Sequence, residues 1–235
     1  MQPDLRFLPI PIPVHLTVLF ALLVLLLLFG LYYLIRPVSR KKTPVILAVY
    51  ALWLSFLYFL AEQSFFLKVN TVPPPFLAAV LPPLLFITFL FISEKGRRFI
   101  DQLSLQSLTW IHTVRVGVEL LLYALFLARQ IPQMMTFEGR NWDILAGLTA
   151  PLLVFMTFRR KQQLPHLLLW WNILALGLLI NIVATAVLSA PFQWQQLNFE
   201  QPNVGVLKST FIWLPGFVVP VVLFSHLAAL RQLRK

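Results

Sequence analysis

The stretch from Val14 to Ile35, "VHLTVLFALLVLLLLFGLYYLI", constrains the fold more than any other part of the sequence. It contains no aspartate, glutamate, lysine or arginine. A helix needs about 20 apolar residues to cross the hydrocarbon core of a bilayer, and this run is longer. It lacks the basic flank, the short apolar core and the small-residue cleavage site of a signal peptide. It therefore predicts a transmembrane helix.

The composition extends this prediction to the whole chain. Hydrophobic residues make up 59% of the 235 residues and charged residues 11%, whereas soluble domains contain about 25% charged residues. Lipid must therefore cover much of the apolar surface. The chain has no cysteine, which excludes disulfides, thiolate metal sites and cysteine nucleophiles.

The hydrophobic segments predict an all-α polytopic membrane protein that forms a single domain over residues 1–235. Their boundaries carry an error of a few residues. Seven spans can be drawn, at roughly 14–35, 44–64, 73–92, 107–128, 142–158, 164–190 and 207–230.

The basic residues predict the orientation of these spans. Most of the 19 lysines and arginines lie in alternate connections, at 36–42, 93–99, 159–161 and 231–235. The remaining connections contain only Arg6, Lys68, Arg129, Arg140 and Lys208. Because cytoplasmic loops hold the excess of basic residues, we expect the N-terminus outside, the C-terminus in the cytoplasm and a multi-pass protein of a bacterial inner membrane. The net charge of +11 then reflects topology and contacts with anionic lipids rather than nucleic-acid binding.

Prolines interrupt two of the spans and suggest an internal repeat. Pro82 and Pro83 lie within the third span, and Pro215 and Pro220 within the seventh; each bends a helix and removes a backbone hydrogen bond. Two three-helix units joined by span 4 would be parallel repeats. This layout is similar to that of the sugar transporters of the SWEET type. It departs from them in that the Pro-Gln pair, at 132–133, lies in a loop.

Span 4 contains the most unusual polar residues. His112, Arg115, Glu119 and Tyr123 follow one another at steps of three, four and four residues and share one helical stripe about 60° wide. A charge at mid-membrane is costly, so such side chains face a bundle interior and pair. The sequence allows two interpretations: a solute, ion or proton site, or an ion pair of Arg115 with Glu119 that locks the bundle.

Span 6 offers a further polar group to this stripe. Asn172 and Asn181 are nine residues apart, so they point to opposite sides of a helix. At most one of them, taken here as Asn172, joins His112, Arg115, Glu119 and Tyr123 in an intramembrane polar site.

The stretch "MTFEGRNWD", residues 135–143, concentrates charge outside the membrane. Gly139 suits a turn, Asn141 a helix N-cap and Asp143 the first helical turn. A capped connection explains these three residues. Glu138 and Arg140 remain, and the alternative is an outer vestibule in which they pair with Glu62 and Lys208.

Several function classes find no support in the sequence. A haem between His112, His166 and His226 was considered as a hypothesis, but we predict no cofactor and no metal. No lysine lies deep in span 7, as a retinal Schiff base requires, and no GxSxG, HExxH or P-loop pattern occurs. We therefore expect that the protein is not an enzyme.

These observations favour a small-solute or ion transporter with its polar site on span 4. The alternative is a non-enzymatic membrane sensor, assembly or scaffold subunit, which would act through a membrane-protein partner. Expected partners are the lipid bilayer, anionic lipids at the cytoplasmic face, and either such a protein or a second copy of the chain.

Overall fold

The structure is a computed structural model that describes residues 4–159 and 164–234. Within these ranges the chain forms helices, turns and bends, with no strand, as the sequence predicts. Part of the basic connection 159–161 and the last residue of the tail 231–235 lie outside the described residues.

The described residues form nine α-helices. They are α1 Val14–Ile35, α2 Thr43–Glu62, α3 Leu77–Ile92, α4 Glu94–Asp101, α5 Leu105–Ile111, α6 Val114–Leu127, α7 Ile144–Val154, α8 Pro165–Leu188 and α9 Val219–Leu233. The helices before and after the polar fourth span, α4 and α7, are short. Tighter 3₁₀ turns occupy Leu5–Phe7, Phe65–Leu67, Gln133–Met135, Gly205–Leu207 and Ser209–Ile212, and wider π-helical turns occupy Phe155–Arg159 and Leu214–Val218.

Five helical segments in the described ranges are long and apolar enough to cross a membrane: Val14–Ile35, Thr43–Glu62, Leu105–Leu127, Pro165–Leu188 and Ser209–Leu233. A sixth exists if α3 and α4 are counted as one broken span, and Ile144–Phe158 is a shorter apolar helix. The protein therefore has the helices of a membrane protein. The count of seven spans and the orientation stay predictions.

The junction of α3 and α4 is a sharp corner. The two helices meet at 89°, and the Ser93 hydroxyl between them accepts a hydrogen bond from the Gly96 amide at 3.2 Å, which caps α4. Asp101 at the end of α4 accepts a hydrogen bond from Arg231 of α9 at 2.9 Å. This ion pair fixes the corner to the end of the bundle where the chain terminates.

The last span, Ser209–Leu233, forms the centre of the bundle and is the most buried of the five. Phe211 stacks on Phe20 of α1 with ring centroids 4.5 Å apart, and Phe217 meets Tyr50 of α2 edge-on at 5.1 Å. The faces of α1, α2 and α8 that point away from this centre remain exposed and apolar, which suits contact with lipid.

Candidate functional site

Arg115 lies at the centre of a buried polar network. Its Nε donates to Oδ2 of Asp143 at 2.6 Å, and its Nη2 donates both to Asp143 Oδ1 and to the carbonyl of Ala175 at 3.0 Å. Its Nη1 lies 3.0 Å from Nε2 of His226. Arg115 and Asp143 are 2% and 4% exposed. One interpretation of the sequence paired Arg115 with Glu119. In the structure the bidentate partner of Arg115 is instead Asp143, at the beginning of α7, and Glu119 acts on Arg115 through its charge.

The hydrogen bonds around His226 assign its tautomer. Asn172 Nδ2 donates to the carbonyl of Leu168 at 2.8 Å, so its Oδ1 faces His226 Nδ1, 2.9 Å away. An amide oxygen only accepts. His226 is therefore protonated on Nδ1, and its Nε2 accepts from Arg115. Asn172 joins the site, whereas Asn181 donates to the carbonyl of Arg140 elsewhere.

His112 stacks on His226 and closes one side of the network. The two imidazole centroids are 3.8 Å apart with the rings inclined by 25°, and Trp171 meets His112 edge-on at 5.3 Å. A haem does not fit between these rings, because axial ligands lie on opposite faces of the macrocycle. His166, the third histidine of that hypothesis, is exposed at the beginning of α8. Both ring nitrogens of His112 are buried without a hydrogen-bond partner among the described residues.

Glu119 lies one turn from Arg115 on α6 but belongs to a separate contact. Its Oε1 accepts from Asn141 Nδ2 at 2.6 Å. Its Oε2 has no hydrogen-bond partner in the described part of the chain, although the residue is only 1% exposed. A buried carboxyl oxygen without a partner is costly.

The segment that provides Asn141 and Asp143 is folded into the bundle. Ile131, Met135 and Thr136 on it are almost completely buried. Glu119 and Arg115 are eight and twelve residues before the end of α6 at Leu127. At 1.5 Å per residue, Asn141 and Asp143 therefore contact α6 about 12 and 18 Å below that end. We refer to residues 130–143 as the re-entrant segment.

The re-entrant segment satisfies its own backbone, as irregular chain at membrane depth must. The Thr136 carbonyl accepts from the amides of Gly139 and Asn141 at 2.9 and 3.2 Å, and the Met134 carbonyl accepts from Arg140 at 3.3 Å. A side chain on Gly139 would collide with the Gln133 carbonyl, so this glycine is required by close packing.

Two roles expected for this segment are wrong. Asn141 is not the N-cap of α7, which begins at Ile144; the N-cap position falls on Asp143, and no side chain caps the helix there. The carboxylate of Asp143 binds Arg115 instead of the helix amides. The simple capped connection is thus replaced by a buried contact between the segment and α6.

Tyr123, the outermost residue of the predicted stripe, is separated from the Arg115 network. It is half-buried, its hydroxyl is close enough to Glu138 to interact with that carboxylate, and its ring centroid lies 4.9 Å from that of Phe137. Glu138 itself is exposed. Exposure therefore increases along the stripe towards Tyr123, which lies beside the exposed carboxylate of Glu138 at one end of the bundle.

The proposed vestibule residues do not pair with one another. Glu62 interacts with Tyr58 on its own helix, Glu138 interacts with Tyr123, and the side chain of Arg140 makes no ion pair within the described ranges. The pairing expected among Glu62, Glu138, Arg140 and Lys208 is wrong.

Lys208 is buried and has a different role. Its Nζ donates to the carbonyls of Phe7 and Ile10 at 2.8 and 2.7 Å and to Oε1 of Gln130 at 2.8 Å. These bonds tie the N-terminal arm to the connection after α6. Burial lowers the pKa of Lys208 to about 8, because the charged amine is desolvated and no carboxylate compensates it.

The helices around the network are irregular close to it. Between α5 and α6 the amides of His112, Thr113, Arg115 and Val116 bond carbonyls three residues earlier, which tightens the helix into a 3₁₀ turn. A π-helical turn at Leu214–Val218 precedes α9, and another at Phe155–Arg159 follows α7. Such irregularities in the middle of helices often accompany functional sites.

Sequence reasoning missed Asp143, Asn141 and His226 as members of the network. A usable signal existed, since an arginine at mid-span needs a carboxylate and Asp143 is the acid nearest the beginning of a span. A second signal was the shortness of the fifth predicted span.

A comparison with protein families gives one match. The family model described as "Domain of unknown function (DUF8737)" matches residues 72–234. The match includes every residue of the buried network and excludes α1 and α2. No curated protein and no solved structure matches the chain. Since the matched region exceeds half of its length, the chain belongs to the family DUF8737, a domain of unknown function.

Proposed function

We propose that the protein is a multi-pass membrane transporter for a small solute or ion, and that its working site is the buried carboxyl of Glu119. The observation that carries this proposal is the unpartnered Oε2 of Glu119, 1% exposed, beside a re-entrant segment. Ionisable groups inside membrane bundles are expensive and mark ion and substrate pathways.

The backbone around Glu119 supports this proposal. Transporters bind their substrates where helices are discontinuous, because unwound backbone and helix ends then line the site. Here α7 begins beside Arg115, and the 3₁₀ turn at 112–116 interrupts the span that contains Glu119. Both irregularities lie within one or two turns of Glu119.

Arg115 has a positioning role in this proposal. Its Nε, Nη1 and Nη2 are all engaged by protein groups, so it is not available as an anchor for an anionic solute. Its charge is compensated by Asp143, which leaves Glu119 as the ionisable group without a charged partner at hydrogen-bond distance.

We further propose seven spans, with the N-terminus outside and the C-terminus in the cytoplasm of a bacterial inner membrane. Two of these seven spans are not among the five long helices. The third span is α3, with α4 lying along the membrane surface, and the fifth is α7 together with the re-entrant segment. The basic residues of α4, Lys95, Arg97 and Arg98, suit a surface with anionic lipid headgroups.

A second candidate function is a non-enzymatic sensor, assembly or scaffold subunit. The observation that favours it is the completeness of the Arg115 network, which is typical of a structural lock. Two outward grooves of about 440 and 390 Å³ flank Trp110 on α5 and are lined by none of the network residues. A stoichiometric membrane partner recovered in mild detergent would favour this function.

The test of transport is ion flux into proteoliposomes. We would measure proton, sodium, potassium and chloride fluxes with trapped indicator dyes in vesicles that contain the wild-type protein, Glu119→Gln or Glu62→Gln. Glu62 is an exposed carboxylate at the end of α2 and serves as the matched control. We expect Glu119→Gln alone to abolish the flux; equal flux in all three samples would refute the role of Glu119.

A further inference from the structure

We propose that Glu119 is a protonation site whose proton exchanges, in the conformation of this structure, with the side of the membrane on which Tyr123 and Glu138 lie. This inference rests on the proposed transport function and specifies its ligand as the proton.

The buried network leaves Glu119 without a hydrogen-bonded cation, although the charge of Arg115 one turn away acts on it. Arg115 and Asp143 neutralise each other through two hydrogen bonds, and the bonding of His226 is that of a neutral imidazole. Glu119 receives one hydrogen bond from the neutral amide of Asn141. An ionised carboxylate at this depth without a paired cation is strongly disfavoured. Binding a proton removes the charge at once.

The surroundings of Glu119 fit a proton better than a metal cation. Hard cations need about six oxygen ligands. The Asn141 Oδ1 already accepts from the Asp143 amide at 3.1 Å, and the Met135 carbonyl accepts from Asn141 at 3.0 Å. No group of three or more His, Asp or Glu residues suited to a metal occurs among the described residues.

A line of titratable groups connects Glu119 to one end of the bundle. Tyr123 is one turn further along α6, about 6 Å away along the helix axis, and its hydroxyl is close enough to the exposed Glu138 to interact with that carboxylate. Exposure rises in this order, from buried Glu119 through half-buried Tyr123 to Glu138. Chains of such groups relay protons in membrane proteins.

The elements packed against α6 supply no competing titratable group near Glu119. Between Leu16 and Leu31 α1 has no ionisable residue, and His15 is exposed at its beginning. The re-entrant segment and α7 contain Glu138, Arg140 and Asp143; Glu138 and Arg140 are exposed, and Asp143 is paired with Arg115. The histidines at 112 and 226 lie beyond Arg115.

Arg115 closes the route on the other side. It lies one turn deeper than Glu119, and its guanidinium is fixed by four hydrogen-bond contacts. A fixed cation in a narrow low-dielectric pathway excludes protons and other cations. In this conformation, exchange of the Glu119 proton is thereby restricted to the side of Glu138, and transport requires a second conformation in which the other side is reached.

The test is infrared difference spectroscopy of the protein in lipid vesicles as the pH is raised. We expect the carbonyl stretch of a buried carboxylic acid, shifted by D2O, that is lost in Glu119→Gln and moved in Glu119→Asp. The Glu62→Gln variant should retain it. A spectrum that is identical in Glu119→Gln would overturn the protonation site, as would loss of the band on adding sodium at constant pH.

The route is tested by the rate at which this band shifts after transfer into D2O. Tyr123→Phe should slow the shift about tenfold, because it removes the hydroxyl that relays the proton. The matched control is Tyr58→Phe, because Tyr58 and Glu62 form a similar tyrosine–glutamate contact on the outside of α2. Equal slowing by both variants, or none by Tyr123→Phe, would overturn the route.

Flux measured on the same vesicles separates the two proposals. If the carboxylic-acid band of Glu119 is present and no ion flux is measured, the protonation site is supported and transport is refuted. Flux that depends on Glu119 while the carboxylic-acid band is lacking refutes the protonation site and leaves transport standing.

Discussion

Asn141 Nδ2 donates to Glu119 Oε1 at 2.6 Å and so joins the re-entrant segment to α6 across 22 residues of sequence. The same amide nitrogen donates a second hydrogen bond to the carbonyl of Met135 at 3.0 Å. One side chain thus sets both the fold of the segment and the position of the buried carboxyl. The position of the Glu119 carboxyl and the shape of the segment are therefore coupled.

The ion pair of Arg115 and Asp143 should be essential for stability. Asp143→Asn leaves the buried guanidinium without its counter-charge, so we expect the free energy of unfolding to fall by about 3–5 kcal/mol. Unfolding in mixed micelles, followed by circular dichroism, measures the loss. The exposed pair of Glu94 and Arg98 is the control, and Glu94→Gln should leave the midpoint almost unchanged.

A double variant tests whether the two residues act as a pair. Arg115→Met combined with Asp143→Asn should be less destabilised than the sum of the two single changes, because no unpaired buried charge remains. Strictly additive losses would show that each residue is stabilised by other partners.

The packing of α7 on α6 should depend on Gly147. A methyl group on Gly147 would approach the Val116 amide nitrogen to 2.7 Å and the carbonyl carbon of Arg115 to 3.3 Å, so Gly147→Ala must push the two helices apart. We expect a loss of about 1–3 kcal/mol, as for other overpacked contacts, measured by the same unfolding assay.

Gly177 provides the opposite case within a helix of the same bundle. A methyl group there has no heavy atom within 4 Å, and Gly177→Ala should be neutral or stabilising, because alanine loses less backbone entropy in a helix. If both variants behaved alike, the close approach at Gly147 would not be a determinant of the fold.

Lys208 should make stability depend on alkaline pH. Its pKa is lowered from 10.5 to about 8 in the folded protein, so the unfolded chain binds the proton more tightly. Burial of the charged amine destabilises the folded protein fully below pH 8. This destabilisation decreases as the pH rises from 8 towards 10.5, because the folded protein then releases the proton before the unfolded chain does. The stability of the wild type relative to Lys208→Met should therefore increase across this window. A constant difference from pH 7 to 10.5 would contradict the lowered pKa.

Single cysteines should distinguish the re-entrant segment from a simple external loop. The native chain has no cysteine, so each probe is unique. Glu138→Cys, at an exposed position, should react with an impermeant maleimide in sealed cells. Thr136→Cys, at a position with 0% exposure, should react only after denaturation. Rapid labelling at both positions would contradict burial of the segment.

The same reagent tests the orientation. Lys41→Cys, in the basic connection after α1, should be protected in sealed cells and react after lysis, because basic loops face the cytoplasm. The reverse pattern for positions 41 and 138 would invert the proposed topology. Gly139 is unsuitable as a probe because it has no room for a side chain.

The sequence predicts the long helices well and their contacts poorly. The limits of α1, α2 and α8 lie within two residues of the predicted spans, because uninterrupted apolar runs with prolines and basic residues at their ends define them locally. Arg115 and Glu119 are buried on one helix, as the stripe predicts. The contact between Arg115 and Asp143, which are 28 residues apart in the sequence, could not be predicted. A polar loop has the same composition whether it is exposed to water or folded into the bundle.

The short α7 also dictates an order of biosynthesis. The helical stretch Ile144–Phe158 is about 22 Å long, less than the roughly 30 Å hydrocarbon core, and an aspartate precedes it. The translocon inserts such a short segment poorly on its own, and a charged side chain taken into the membrane adds to the cost. We infer that α7 enters the membrane only once Arg115 of α6 is already there to receive Asp143, so that these two helices are delivered to the bilayer together as a hairpin.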